Sequence, residues 1–136
     1  MLQNIIKLLV TAVKQRRCVA IRYRDQREIR ILEPHAIYTH GRSEIVCDAY
    51  QTRGYSAAGR PPPFWRPFRI RKITAISLLK ETFEPRVAEG FSLNKLKYKK
   101  GLVAITSERS RPTFTYSEQA LRNMGPFLPN RGPGLN

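Results

Sequence analysis

Arginines recur at short intervals on runs that otherwise read as β-strand. Arg22 lies in Ile21-Arg22-Tyr23, Arg30 opens Arg30-Ile31-Leu32-Glu33-Pro34, and Arg66, Arg69 and Arg71 punctuate the run from Arg66 to Ile73. A guanidinium is planar, permanently charged and forked, so it grips two oxygens of a phosphate at once. Several of them on one curved sheet repel each other unless an anion lies between. Arg30 and Arg66, with Lys72 further along the second run, are therefore the first candidates for a phosphate-binding cleft. The competing reading pairs Arg30 and Arg66 with Glu33 or Glu44 as solvated strand arginines, contacts that contribute little at a surface.

The composition supports the anion. The 136 residues carry 25 Lys and Arg against 10 Asp and Glu, a formal charge of +15 that is spread over the chain rather than gathered in one block. Such a surface favours a polyanionic partner, most often nucleic acid, with acidic proteins and anionic lipid as the other possibilities. Catalysis is not expected. No Gly-rich phosphate loop precedes a helix, and no paired-His or Cys-His-Asp spacing is present. Asp25, Glu33, Glu44 and Asp48 are dispersed, although folding is able to bring Glu33 and Asp48 together. Cys18 and Cys47 have no Cys-x-x-Cys spacing and, with His35 and His40, no metal-ligand pattern. We expect reduced, buried thiols, no metal and no cofactor.

The elements that must position these arginines are mainly β. Met1 to Gln15 places Leu2, Ile5, Ile6, Leu9 and Val13 at helical spacing, which predicts an amphipathic N-terminal helix. Lys7 interrupts its apolar run, so it does not read as a signal peptide, and no stretch of about 18 apolar residues exists to span a membrane. A cytoplasmic location is the expectation. From Cys18 to Arg24, Val19, Ile21 and Tyr23 alternate with Ala20, Arg22 and Arg24. A return strand then presents Ile29 and Ile31 to one side and Arg30 to the other, and Glu33-Pro34 breaks the ladder because proline lacks an N–H. From Glu44 to Tyr50, Ile45, Cys47 and Ala49 face inward, leaving Tyr50 on the less apolar face. Gln51 to Phe64 is a long connection stiffened by Pro61-Pro62-Pro63. Trp65 to Lys72 resumes the sheet with Arg66, Phe68 and Ile70 on one face, and Ile73 to Leu79 reads as the best-buried strand. Trp65 itself has two readings, stacking on a base or packing on the prolines. Beyond Pro85, a short helix over Phe91 to Lys99, a strand from Leu102 to Ile105 and a helix from Ser117 to Met124 are expected before a disordered Pro/Gly-rich end. The pattern predicts a small basic β-barrel or strongly bent sheet over residues 1–85 with its helix, followed by an extension over 86–136.

The order Ile-x-Tyr, Arg-x-x-Glu-Pro, a Gly turn, a strand ending Ala-Tyr, an arginine-bearing loop and Arg-x-Phe-Arg-Ile-x-Lys-Ile resembles the WYL domain of bacterial transcriptional regulators, from Val19 to about Pro85. The resemblance implies a mainly β fold, an Sm-like or SH3-like five-stranded antiparallel barrel with a preceding helix and a C-terminal extension. It also implies a basic pocket that senses nucleic-acid-type ligands. By motif position the pocket residues here are Tyr23, Arg30, Arg53, Arg66, Phe68 and Lys72. The Trp-Tyr-Leu tripeptide position holds Ile45-Val46-Cys47, and one N-terminal helix of about four turns does not supply both helices of a helix-turn-helix reader.

Two functions follow as expectations. The first is a ligand-sensing module linked to transcription regulation, binding single-stranded DNA or RNA or a nucleotide, with output through a homodimer or a separate DNA-binding regulator. The second is a protein-interaction module that docks an acidic partner by its sheet edge or N-terminal helix.

Overall fold

The computed structural model describes residues 2–56 and 59–108. The helix expected from Ser117 to Met124 and the Pro/Gly-rich end lie outside the described residues. Helix α1 (Leu2–Gln15) buries Ile5, Leu9, Ala12 and Val13, the i, i+4, i+7, i+8 stripe that packs a helix on a core. Leu2, one turn earlier, is about half exposed. No helix among the described residues is long and apolar enough to cross a membrane.

Six strands follow: β1 (Arg17–Tyr23), β2 (Arg30–His40), β3 (Glu44–Gly54), β4 (Phe64–Arg69), β5 (Ile73–Thr82) and β6 (Leu102–Ile105). They form one antiparallel sheet in the order β4-β3-β2-β1-β5, with β6 also paired to β2. The expected strands are present in their expected order, and the 102–105 strand joins the same sheet as a sixth. The expected closed barrel is not: β4 and β5 are the two ends of the strand path, joined by a 3₁₀ turn at Ile70–Lys72 rather than by a ladder. Those three residues turn the chain through a corner, so the two strands diverge from it and their backbones do not pair.

Strand β2 organises the sheet. Its first half pairs with β1 (Leu32 opposite Val19, Arg30 opposite Ile21) and its second half with β6 (Ala36 opposite Ile105, Ile37 opposite Ala104), while β3 runs along its whole other side. Pro34 sits where the β3 register shifts, between the two half-ladders. The expectation that Glu33-Pro34 ends the strand is therefore corrected. A bulge needs no amide from the proline, so the strand bends there and continues to His40.

The sheet is covered on both faces. Helix α1 closes one side over Val19, Ile21, Leu32, Ile37 and Phe68. On the other, Phe91 and Tyr98 pack against Ala36, Tyr38 and Val46, with Trp65 and Ile105 at the edge. Strand β3 is consequently buried from Val46 through Gln51 without alternation, and Tyr50, assigned by periodicity to the less apolar face, is only 8% exposed. Strand β5 differs in the opposite sense. As an end strand it is mostly exposed beyond Ile73, so its apolar sequence does not mark the best-buried strand. In place of the helix expected over Phe91 to Lys99 there is a single 3₁₀ turn, Leu96–Tyr98. Cys18 and Cys47 are free and buried, as expected. Burial pushes the Cys18 thiol up to about 11, and Cys47 is raised for the same reason, which keeps both protonated and unreactive.

Candidate anion-binding cleft

Arg30 opens β2 opposite Gly54 of β3, and Arg66 lies on β4 opposite Ala49. Gly54 has φ of +102°, and a Cβ there would meet the Ile29 carbonyl oxygen at 2.2 Å, so only glycine lets the chain turn this close to Arg30. That turn brings Tyr55 and Ser56 alongside. Arg30 is 1% exposed and Ile29 47%, so of the two sides that alternation separates, the arginine's is the interior one. That placement has a physical cause. The Arg30 guanidinium is surrounded by the rings of Tyr23, Tyr55 and Phe68, each with its centroid 5.5 Å away, an enclosure that suits a delocalised cation.

Its hydrogen-bond partners are neutral. Nη1 donates to Gln51 Oε1 at 3.3 Å and Nη2 to Gln26 Oε1 at 3.1 Å, while the buried Nε has no partner. Arg66 leans on the same aromatic pair, 5.6 Å from the Tyr23 ring and 5.4 Å from Phe68, and its buried Nε is also unpartnered. Burial, reinforced by the positive charge of Arg66, lowers the Arg30 pKa from its ordinary value. The carboxylates that could have neutralised them are committed elsewhere: Glu33 takes both ends of the Arg86 fork at 2.8 and 3.0 Å, and Glu44 pairs with Arg71 at 3.2 Å. Among the described residues neither Arg30 nor Arg66 forms a salt bridge. Both open on a cleft of about 290 Å³, completed by Ser56, Arg60, Phe64 and Trp65.

The residues singled out from the sequence separate into two groups. Arg30, Arg66, Tyr23 and Phe68 come together. The rings of Tyr23 and Phe68 meet edge to face at 5.1 Å and form the floor under both guanidiniums; the Tyr23 hydroxyl accepts the Arg69 amide at 2.9 Å. Arg53 and Lys72 do not line this cleft. Arg53 lies in an exposed pair with Glu81 at 3.0 Å, and Lys72 belongs to the 3₁₀ corner, where its carbonyl accepts the Arg24 amide. Arg53→Ala is expected to change stability by less than about 1 kcal/mol, since exposed pairs contribute little, and to leave anion binding unchanged; urea titration and binding isotherms check both.

Sequence reasoning missed Gln26, Gln51, Ser56 and Arg60. Arg60 was visible as a cation in a Gly- and Pro-rich loop, but nothing local indicates that the loop returns it to β4, where its guanidinium sits 4.5 Å over Phe64. Trp65 meets His35, Tyr50 and Phe91, and its Nε1 donates to the Glu89 carbonyl at 2.7 Å. Glu33 and Asp48 hold separate partners: Glu33 has Arg86, and Asp48 has Tyr38, Tyr98 and Lys97.

The fold overlaps part of one solved structure, Proteasome accessory factor B/C (PafBC) of Arthrobacter aurescens, with 20% sequence identity and a TM-score of 0.49 over 65% of this chain and 13% of that chain. No family model and no curated protein matches the sequence.

Proposed function

We propose that this chain is a binding module for a nucleic-acid-type anion, a short single strand of DNA or RNA or a nucleotide, held by Arg30 and Arg66, and that it serves a cytoplasmic regulatory role rather than a catalytic one. One observation carries the reading. Two adjacent guanidiniums, each with a buried unpartnered Nε and neither with a carboxylate, face the same cleft. Leaving such donors unmet costs free energy, and a phosphate supplies both the charge and the acceptor oxygens. The resemblance of the sequence to WYL domains supports the same ligand class, and the strand order with its 3₁₀ corner supports an SH3-like arrangement of the bent sheet.

The test is direct binding of oligonucleotides and mononucleotides at low salt, with an acidic polypeptide as competitor. Arg66→Ala, at a half-buried position, is expected to weaken binding by roughly 1.5 to 3 kcal/mol, the range for a charge-assisted hydrogen bond. Lys80→Ala, on exposed β5, removes the same charge and is expected to have little effect. Equal losses for the two variants would mean diffuse attraction without a site, and binding of the acidic polypeptide alone would favour a protein-docking role.

A further inference from the structure

A second cavity, of about 90 Å³, shares one wall with the arginine cleft: Trp65, Arg66 and Pro67 of β4 line both. Its remaining wall comes from Asp48 of β3 and from the segment that follows β5, with Phe91 and Tyr98 as aromatic sides and Lys95 and Lys97 bringing positive charge. The two lysines differ in state. Lys97 is engaged with Asp48 at 2.6 Å, and both Asp48 oxygens also accept tyrosine hydroxyls, so this carboxylate is fully occupied. Lys95 is exposed, and no carboxylate among the described residues pairs with it. Arg60, Arg66 and Lys95 therefore mark a continuous basic line that crosses the Trp65–Pro67 stretch from one cavity to the next.

Resting on the anion-binding reading above, we infer that the two cavities are consecutive subsites for one nucleic-acid strand, with Lys95 holding a phosphate next to the one held by Arg30 and Arg66. A single phosphate in the arginine cleft leaves Lys95 without an anion, whereas a strand places its next phosphate beyond the ridge. Trp65, half-buried in the wall that both cavities share, offers the kind of surface on which a base stacks regardless of its identity. The ligand class is thereby narrowed from nucleotide to oligonucleotide, read with little sequence preference.

The test measures the affinity of 5′-phosphorylated thymidine mono-, di- and tetranucleotides for the whole chain, with the salt dependence of each. The tetranucleotide is expected to bind at least about tenfold more tightly than the mononucleotide, the scale of one added stacking contact, and its log affinity to fall more steeply with log salt, by about 0.7 for each added phosphate contact. Lys95→Ala is expected to lower tetranucleotide affinity about three- to tenfold and to leave the mononucleotide unchanged, while Arg66→Ala weakens both. Lys95 is exposed at a loop position, so its loss leaves the fold intact, and an unchanged urea midpoint verifies this. Arg66-dependent binding that is indifferent to length and to Lys95 overturns this inference alone. No binding of any of the three probes overturns the anion-binding reading and this inference together.

Discussion

Between pH 7 and pH 5 the folded chain is expected to lose about 2 kcal/mol of stability through one residue, His35, and about 3 kcal/mol in all once the pH reaches 4. The imidazole is fully buried on the strand that organises the sheet. Its Nδ1 lies 2.8 Å from the Glu33 carbonyl, so the proton belongs on Nδ1, and Nε2 accepts the Arg86 amide at 3.0 Å. The rings of Trp65, Phe83 and Phe91 enclose it at 4.8 to 4.9 Å. An imidazolium has no lone pair on Nε2 to accept the Arg86 amide. Burial, against the opposing hydrogen bond to Glu33 and with the nearby charge of Arg86, pushes the pKa down to about 4 from 6.5. Asp48 and Arg16 act on it more weakly and with opposite signs. Above pH 6.5 His35 is neutral whether the chain is folded or not. Between 6.5 and 4 only the unfolded chain takes up the proton, so stability falls as the pH falls and levels off below 4. Denaturation midpoints of the wild type and of His35→Leu across pH 7 to 5, above the range where most carboxylates titrate, separate this contribution. The variant is expected to start lower at pH 7, because it strands the Arg86 amide, and to be nearly flat with pH. Parallel curves for the two proteins would rule the mechanism out.

Asp48→Ala is expected to cost about 3 to 4 kcal/mol, roughly the sum of two buried hydroxyls left unmet. Asp48 is 5% exposed; Oδ1 accepts the Tyr38 hydroxyl at 2.9 Å, and Oδ2 accepts Tyr98 at 2.7 Å and Lys97 at 2.6 Å. Burial and the adjacent carboxylate push both phenols up from their ordinary values, so they remain donors at any physiological pH. Without Asp48 the Lys97 ammonium, whose side chain is 44% exposed, swings into water, whereas the two hydroxyls are held by the packing of Tyr38 and Tyr98 against Phe91 and Val46. Most of the loss therefore comes from the tyrosines. Introducing Asp48→Ala into a Tyr38→Phe, Tyr98→Phe background is expected to cost much less than it does in the wild type, because the donors are already gone. Strict additivity in that cycle would show that the network is not what stabilises this face.

The parts of this fold that depend on local pattern were legible in the sequence. The stripe of Ile5, Leu9 and Val13 predicts α1, the alternation of Val19, Ile21 and Tyr23 predicts β1, and the run from Leu102 to Ile105 is a strand where one is expected. Arg30 and Arg66 stand out by charge and spacing alone. Local pattern also determined that Pro34 disturbs β2, though not how: a proline at a ladder position ends a strand, and the same proline at a bulge only bends it.

Tertiary structure decided what surrounds each residue. Alternation places Arg30 opposite its isoleucine neighbours but cannot say which side is the interior, since an interior lined by Tyr23, Tyr55 and Phe68 with two glutamine acceptors suits a guanidinium better than Ile29. Period-two reading assumes one wet face, and β3 has none, because Phe91 and Tyr98 return from beyond β5 to cover it. The identity of the ion pairs is likewise a long-range outcome. Glu33 lies three residues from Arg30 yet binds Arg86, and Glu44 binds Arg71, so the arginines of the cleft are left with their charge unmatched. Sequence determined which cations the chain has; only the packing of distant segments determined that Arg30 and Arg66, without a carboxylate among the described residues, meet at one cleft.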